Sequence, residues 1–140
     1  MTAAVRDLAA AGPLPARLRV AVVAEILVTY VRARWWLRDP DFRRTLDRVA
    51  PDRAADPRPG DTAAARRLAR AVARTLALLP TDARCLVRSV VLTAMLSRRG
   101  IASRLVVGVR PGAKFAAHAW VEQGGAPLFD PAGFEPLLER

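Results

Sequence analysis

The sequence predicts an α+β fold, with helices over the first hundred residues and a small antiparallel sheet after them. Three observations carry this. From Pro15 to Gly100, apolar residues recur every three or four positions, and proline and glycine clusters cut the pattern into segments. After Gly100 the period drops to two, with Leu105, Val107 and Val109 on one face. The turns in this last part are short, at Arg110-Pro111-Gly112-Ala113 and around Gly124-Gly125. Helices that precede strands, rather than alternate with them, define the class.

Met1 to Leu14 runs into the breakers Gly12-Pro13-Leu14-Pro15 and is expected to be a short, loosely held lead-in. Pro15 suits the first turn of a helix to about Leu37. Leu18, Val22, Ile26, Tyr30 and Val31 spread over a wide face of it, as in a core helix. A second use of that face is docking, with Trp35 and Trp36 at its edge. Asp39-Pro40 is expected to cap a short helix through Val49, with Phe42, Leu46 and Val49 inward. Ala50 to Gly60, rich in proline, is a loop. Asp61 or Thr62 caps the next helix, whose stripe is Leu68, Val72, Leu76 and Leu79. Opposite lies a ridge of Arg66, Arg70 and Arg74, a solvated face or a track for phosphates or an acidic peptide. Pro80 ends that helix, and Thr81 or Asp82 caps a fourth from Ala83 to about Arg99, closed by Gly100. Strands are expected at Leu105–Val109, at about Phe115–Glu122 and at Ala126 to Phe129 or Asp130.

The chain of 140 residues suits one domain, which buries roughly 70% of its unfolded surface on folding. Its single cysteine excludes an internal disulfide. The net charge of +10 is almost wholly arginine, Lys114 being the only lysine. No secretory signal is recognisable, and the most apolar run, Val20 to Val31, holds Glu25 and falls short of the ~20 residues of a membrane span. One cysteine and one histidine cannot supply a structural zinc set, so no metal is expected.

Those two residues can instead form one nucleophile–base pair. Cys85 falls in the first turn of its helix, where unpaired N–H groups and the helix dipole favour a thiolate, with Arg84 and Arg88 adding positive field. In Ala116–Glu122, alternation puts His118, Trp120 and Glu122 on one side, and Ala117, Ala119 and Val121 on the side pressed to a helix. If the hairpin turns through three residues, Gln123-Gly124-Gly125, then Asp130 directly faces His118 and its carboxylate orients the imidazole. A two-residue Gly-Gly turn would instead put Asp130 opposite Ala119. Cys85, His118 and Asp130 are thus the expected catalytic residues, with the Cys85 backbone N–H as a candidate oxyanion donor.

Arg84-Cys85-Leu86-Val87-Arg88-Ser89, Arg98-Arg99-Gly100-Ile101, Leu105-Val106-Val107-Gly108-Val109 and His118-Ala119-Trp120-Val121-Glu122 resemble the lasso-peptide B2 proteins. These are transglutaminase-like leader peptidases of lasso-peptide biosynthesis. The likeness runs from about Ala65 to Leu138, while the N-terminal helices match only in general character. It implies a transglutaminase/papain-like cysteine protease core without a cofactor. It also implies a Cys-His-Asp triad, carried here by Cys85, His118 and Asp130, that removes the leader from a ribosomally made precursor peptide. Single-chain members carry a leader-recognition domain ahead of the protease. A chain of this length is expected to lack one and to resemble the split form, with a separate leader-binding B1 protein and an ATP-dependent lasso cyclase as the next enzyme. On that basis residues 1–60 are a helical segment with a docking surface, and residues 61–140 are the catalytic core, within one compact domain. Trp35 and Trp36, with Arg66, Arg70 and Arg74, are the expected docking residues, and the cytoplasm is the expected location. Acyl transfer to an amine would use the same triad. A non-enzymatic basic helical protein that binds nucleic acid or an acidic partner is the other alternative, although no nucleic-acid motif is present.

Overall fold

The computed structural model describes residues 3–10, 12–49, 56–80, 85–110, 112 and 116–139. Among these are five helices: α1 (Ala3–Ala9), α2 (Ala16–Trp36), α3 (Phe42–Val49), α4 (Asp61–Ala77) and α5 (Cys85–Arg98). Four strands follow: β1 (Arg104–Arg110), β2 (Ala116–Gln123), β3 (Ala126–Pro127) and β4 (Glu135–Glu139). The expected α+β class is the observed one.

Helix α5 is the centre of the molecule. Its sequence is apolar nearly all round, with Val87 and the whole run Ser89–Leu96 buried, as a helix covered on every side must be. Helices α2, α3 and α4 pack on it, and so do β1 and β2. It ends as expected at Gly100, whose φ of 68° is left-handed. The Ile101 N–H reaches the Leu96 carbonyl and the Gly100 N–H that of Ser97, each at 3.0 Å, so the Schellman closure is complete. The caps expected at Thr81 or Asp82 lie outside the described residues.

Several boundaries differ from expectation for local reasons. The lead-in is not loose: it forms α1, which packs on α4 and buries Leu8. Arg67 of α4 donates to the carbonyls of Leu8 and Gly12 and holds that end down. Asp41, not Asp39, caps α3, accepting from the Arg44 N–H at 3.4 Å. Gly60 in the left-handed region is the N-cap of α4, because Asp61 turns back to the Arg58 N–H and Thr62 donates to Gln123 Oε1 at 3.0 Å. Helix α2 buries only Val22, Ile26, Thr29 and Ala33. Val31 is 65% exposed, so the wide apolar face is not all core.

The sheet is antiparallel throughout, in the order β3-β2-β1-β4. Strand β4 was not expected. It carries Pro136, which cannot donate to a ladder and is tolerated because β4 is an edge. The third strand is much shorter than expected, stopping at Pro127.

A charge clamp fastens α2 to the far end of α5. Both Arg99 terminal nitrogens donate to Glu25, at 2.9 and 2.5 Å, and Arg98 reaches Glu25 at 3.1 Å and Thr29 at 2.7 Å. Burial pushes the Glu25 pKa up. The hydrogen bonds and charges of Arg99, then Arg98, outweigh it, so the carboxyl titrates below its ordinary 4.5. A pKa depressed on folding contributes stability that is present above the unfolded value and lost as pH falls through the folded one. Glu25→Gln is therefore expected to cost about 1–2 kcal/mol at pH 7. The urea midpoints of variant and parent should converge as pH drops below about 4. A gap that stays constant down to that pH would contradict the clamp.

Candidate active site

Cys85 lies on α5 and His118 on β2, two elements that pack on each other. Cys85 is the first residue of α5 and half-buried. One turn on, Ser89 is fully buried and donates to the Ala119 carbonyl at 3.1 Å. That carbonyl is available for a specific reason. Leu128 N–H takes the Val121 carbonyl at 2.7 Å, and the Ala119 carbonyl, two residues back, points to the same edge after β3 has ended. Ser89 fills the missing ladder position. It pins the opening of α5 to the residue next to His118, and Cys85 lies about 6 Å before it along the helix axis.

His118 is half-buried on β2. Its ring lies 5.2 Å from the Phe134 ring and 6.0 Å from that of Trp120. Trp120 is buried and donates to Glu122 Oε1 at 3.0 Å, and Glu122 pairs with Arg104. Arg110 covers Phe134 from 4.4 Å. His118, Trp120 and Glu122 therefore share a face, as the alternation predicts. On the opposite face Gln123 meets Thr62 of α4.

The hairpin follows the second of the two registers considered. Gln123 pairs with Ala126 and Glu122 with Pro127, so the turn is Gly124-Gly125 alone. Both glycines are left-handed, with φ of 59° and 78°, as a two-residue type I′ turn requires. The three-residue loop, and with it the facing of Asp130 on His118 across a strand pair, is corrected. Asp130 still reaches His118, by a different atom: after β3 the chain bends, and the Asp130 main-chain carbonyl lies 2.9 Å from His118 Nε2. The carboxylate accepts from the Ala132 N–H at 2.8 Å and so shapes the turn that presents the carbonyl. Arg110 ties this turn to β1 through the Ala132 carbonyl.

This contact fixes the tautomer. A carbonyl oxygen only accepts, so Nε2 carries the proton and the lone pair of the neutral ring is on Nδ1. Nδ1 is then the basic nitrogen. Among the described residues, Cys85 makes no side-chain hydrogen bond and the His118 ring makes only this one.

Arg88, on the same face of α5 one turn after Cys85, lies 4.2 Å over the Phe129 ring and has a buried Nε without a partner. The sequence showed it only as nearby charge. Arg84 lies outside the described residues. Trp35 is 67% exposed, while Trp36 is half-buried with Arg32 over it at 5.6 Å. Arg66, Arg70 and Arg74 are all exposed. No described helix is long and apolar enough to cross a membrane.

A cysteine in the first turn described for α5, a helix that packs on the strand presenting a histidine, in an α+β core, suits cysteine peptidase or acyltransferase chemistry. The chain belongs to the Transglutaminase-like superfamily, whose model matches residues 26–139. That match starts inside α2 and takes in all three catalytic candidates. No curated protein and no solved structure matches the chain.

Proposed function

We propose that the protein is a cysteine peptidase that removes the leader from a ribosomally made lasso-peptide precursor. The observation that supports it most is the pairing of a proton-committed His118 Nε2 with the Ser89 bond that holds the opening of α5 against the same strand. The resemblance of Arg84–Ser89 and His118–Glu122 to the lasso-peptide leader peptidases supplies the substrate.

In this reading His118 Nδ1 takes the Cys85 thiol proton, and Sγ forms a bond to the scissile carbonyl carbon. The Cys85 N–H donates to the oxyanion. As the C–N bond breaks, the imidazolium returns its proton to the departing amine, leaving a thioester. Water then loses a proton to Nδ1 and attacks the thioester. The leader leaves as a carboxylic acid, and the thiol is restored. A separate leader-binding protein brings the precursor, docking on the exposed apolar side of α2 that ends at Trp35, and a lasso cyclase uses the freed amine.

The test is mass spectrometry of a candidate precursor incubated with this protein and its leader-binding partner. Two fragments whose masses sum to precursor plus one water are expected. An intact precursor would refute the proposal. A leader joined to an added amine would replace hydrolysis by acyl transfer.

Asp130 offers a sharper prediction. Asn can cap Ala132 as Asp does, so Asp130→Asn should lower cleavage by less than about tenfold, and Asp130→Ala by more. Where a carboxylate itself holds the imidazole, the Asn change costs about 10⁴. A loss of that size would place the carboxylate, not the carbonyl, on His118 during turnover.

A further inference from the structure

A groove of about 500 Å³ lies between α2 and α4 and is lined also by Pro13 and Leu14. None of its described lining residues belongs to α5 or the sheet, so it is separate from the cysteine site. Four guanidinium groups line it, from Arg19, Arg67, Arg70 and Arg74, and among the described residues no carboxylate does. Arg67 is spent on the carbonyls of Leu8 and Gly12. Arg19, Arg70 and Arg74 are exposed and, among the described residues, their guanidinium groups have no ion-pair or hydrogen-bond partner.

Between the arginines the floor is apolar, with Leu14 half-buried and Val23 41% exposed. Val23 shares a helix face with the exposed Val20 and Leu27, so the groove opens onto a longer apolar strip. Unpaired positive charge flanking open apolar surface calls for a ligand with the complementary pattern. We propose that this groove binds an acidic amphipathic peptide segment, its apolar side chains on Leu14 and Val23 and its carboxylates on Arg19, Arg70 and Arg74.

A second copy of this chain is a poor occupant. Its net charge is also +10, and its matching face would set arginine against arginine. Nucleic acid fits less well too, since single strands are gripped by stacking aromatics and none of the described lining residues is aromatic. The inference does not rest on the peptidase proposal.

The probe is a fluorescein-labelled synthetic peptide of Leu-Glu-Glu-Leu repeats, followed by anisotropy with the full chain. Binding should weaken at least about tenfold in Arg70→Glu/Arg74→Glu and measurably in Val23→Ser. Cys85→Ala should bind as tightly as the parent, which separates this result from any failure of catalysis. If the double reversal does not fold, Arg70→Gln/Arg74→Gln serves, with the same direction expected. Absence of binding, or equal binding by the charge variants, would overturn the proposal. So would an oligothymidine that binds as tightly while Val23→Ser changes nothing, which would reduce the groove to general attraction for polyanions.

Discussion

Cys85→Ala is expected to abolish precursor cleavage, lowering it by about 10⁵–10⁶-fold, while the protein stays folded. The size follows from the division of labour in a nucleophile–base pair: without the sulfur no covalent intermediate forms, and the remaining groups contribute little on their own. The fold should tolerate the change because Cys85 is half-exposed and its sulfur makes no hydrogen bond among the described residues. Thermal unfolding should shift by no more than about 1 kcal/mol equivalent. Mass spectrometry at matched protein concentration, beside a melting curve, measures both. A variant that still cut at a tenth of the parent rate would remove Cys85 from the chemistry.

Gly108→Ala is expected to be the most damaging single methyl in the described structure. Gly108 pairs with His118 across β1 and β2 and lies beneath the Trp120 ring. A Cβ there would sit 2.6 Å from the Glu135 carbonyl and 2.7 and 2.8 Å from two Trp120 ring carbons. Neither neighbour can yield cheaply. The carbonyl belongs to the β4 backbone, where the register already shifts between Val107 and Gly108, and Trp120 is buried. Overpacking of this kind costs about 3 kcal/mol, or a fall in melting temperature of ~10 °C. Activity should fall further than stability alone explains, because the two displaced groups also frame His118: Trp120 stacks near its ring, and Glu135 adjoins Phe134. A variant that melts with the parent would show that Trp120 is not seated as described.

The elements that sequence made legible are those whose signals are local. Gly100 must follow the last turn of α5 because only a left-handed residue allows both Schellman bonds, and a glycine supplies it. The alternation around His118 needs only the pleat of one strand. What was not legible depends on partners distant in sequence. Strand β4 has no alternation of its own and contains Pro136; it exists because β1 offers an open edge. Helix α1 is held by Arg67, about sixty positions away.

The candidate site divides along the same line. Cys85 at a helix start and His118 on a strand follow from local pattern, and the Asp130 contact does not. It turned on whether two or three residues make the hairpin, and consecutive glycines satisfy either count in sequence. In the structure both adopt left-handed angles, which selects the shorter turn. The Ser89–Ala119 bond, which sets α5 against the histidine strand, had no sequence signal, because it depends on where β3 stops.

The proposed chemistry requires Cys85 and His118 to work as one couple across the α5–β2 contact. Its most direct measurement is the rate of Cys85 alkylation by iodoacetamide across pH 5 to 9, in the folded parent and in His118→Ala. Rapid labelling of the folded parent is expected, slowed about tenfold or more near neutral pH when the imidazole is removed. Identical rate profiles in the two proteins, or a thiol that reacts only after unfolding, would contradict it.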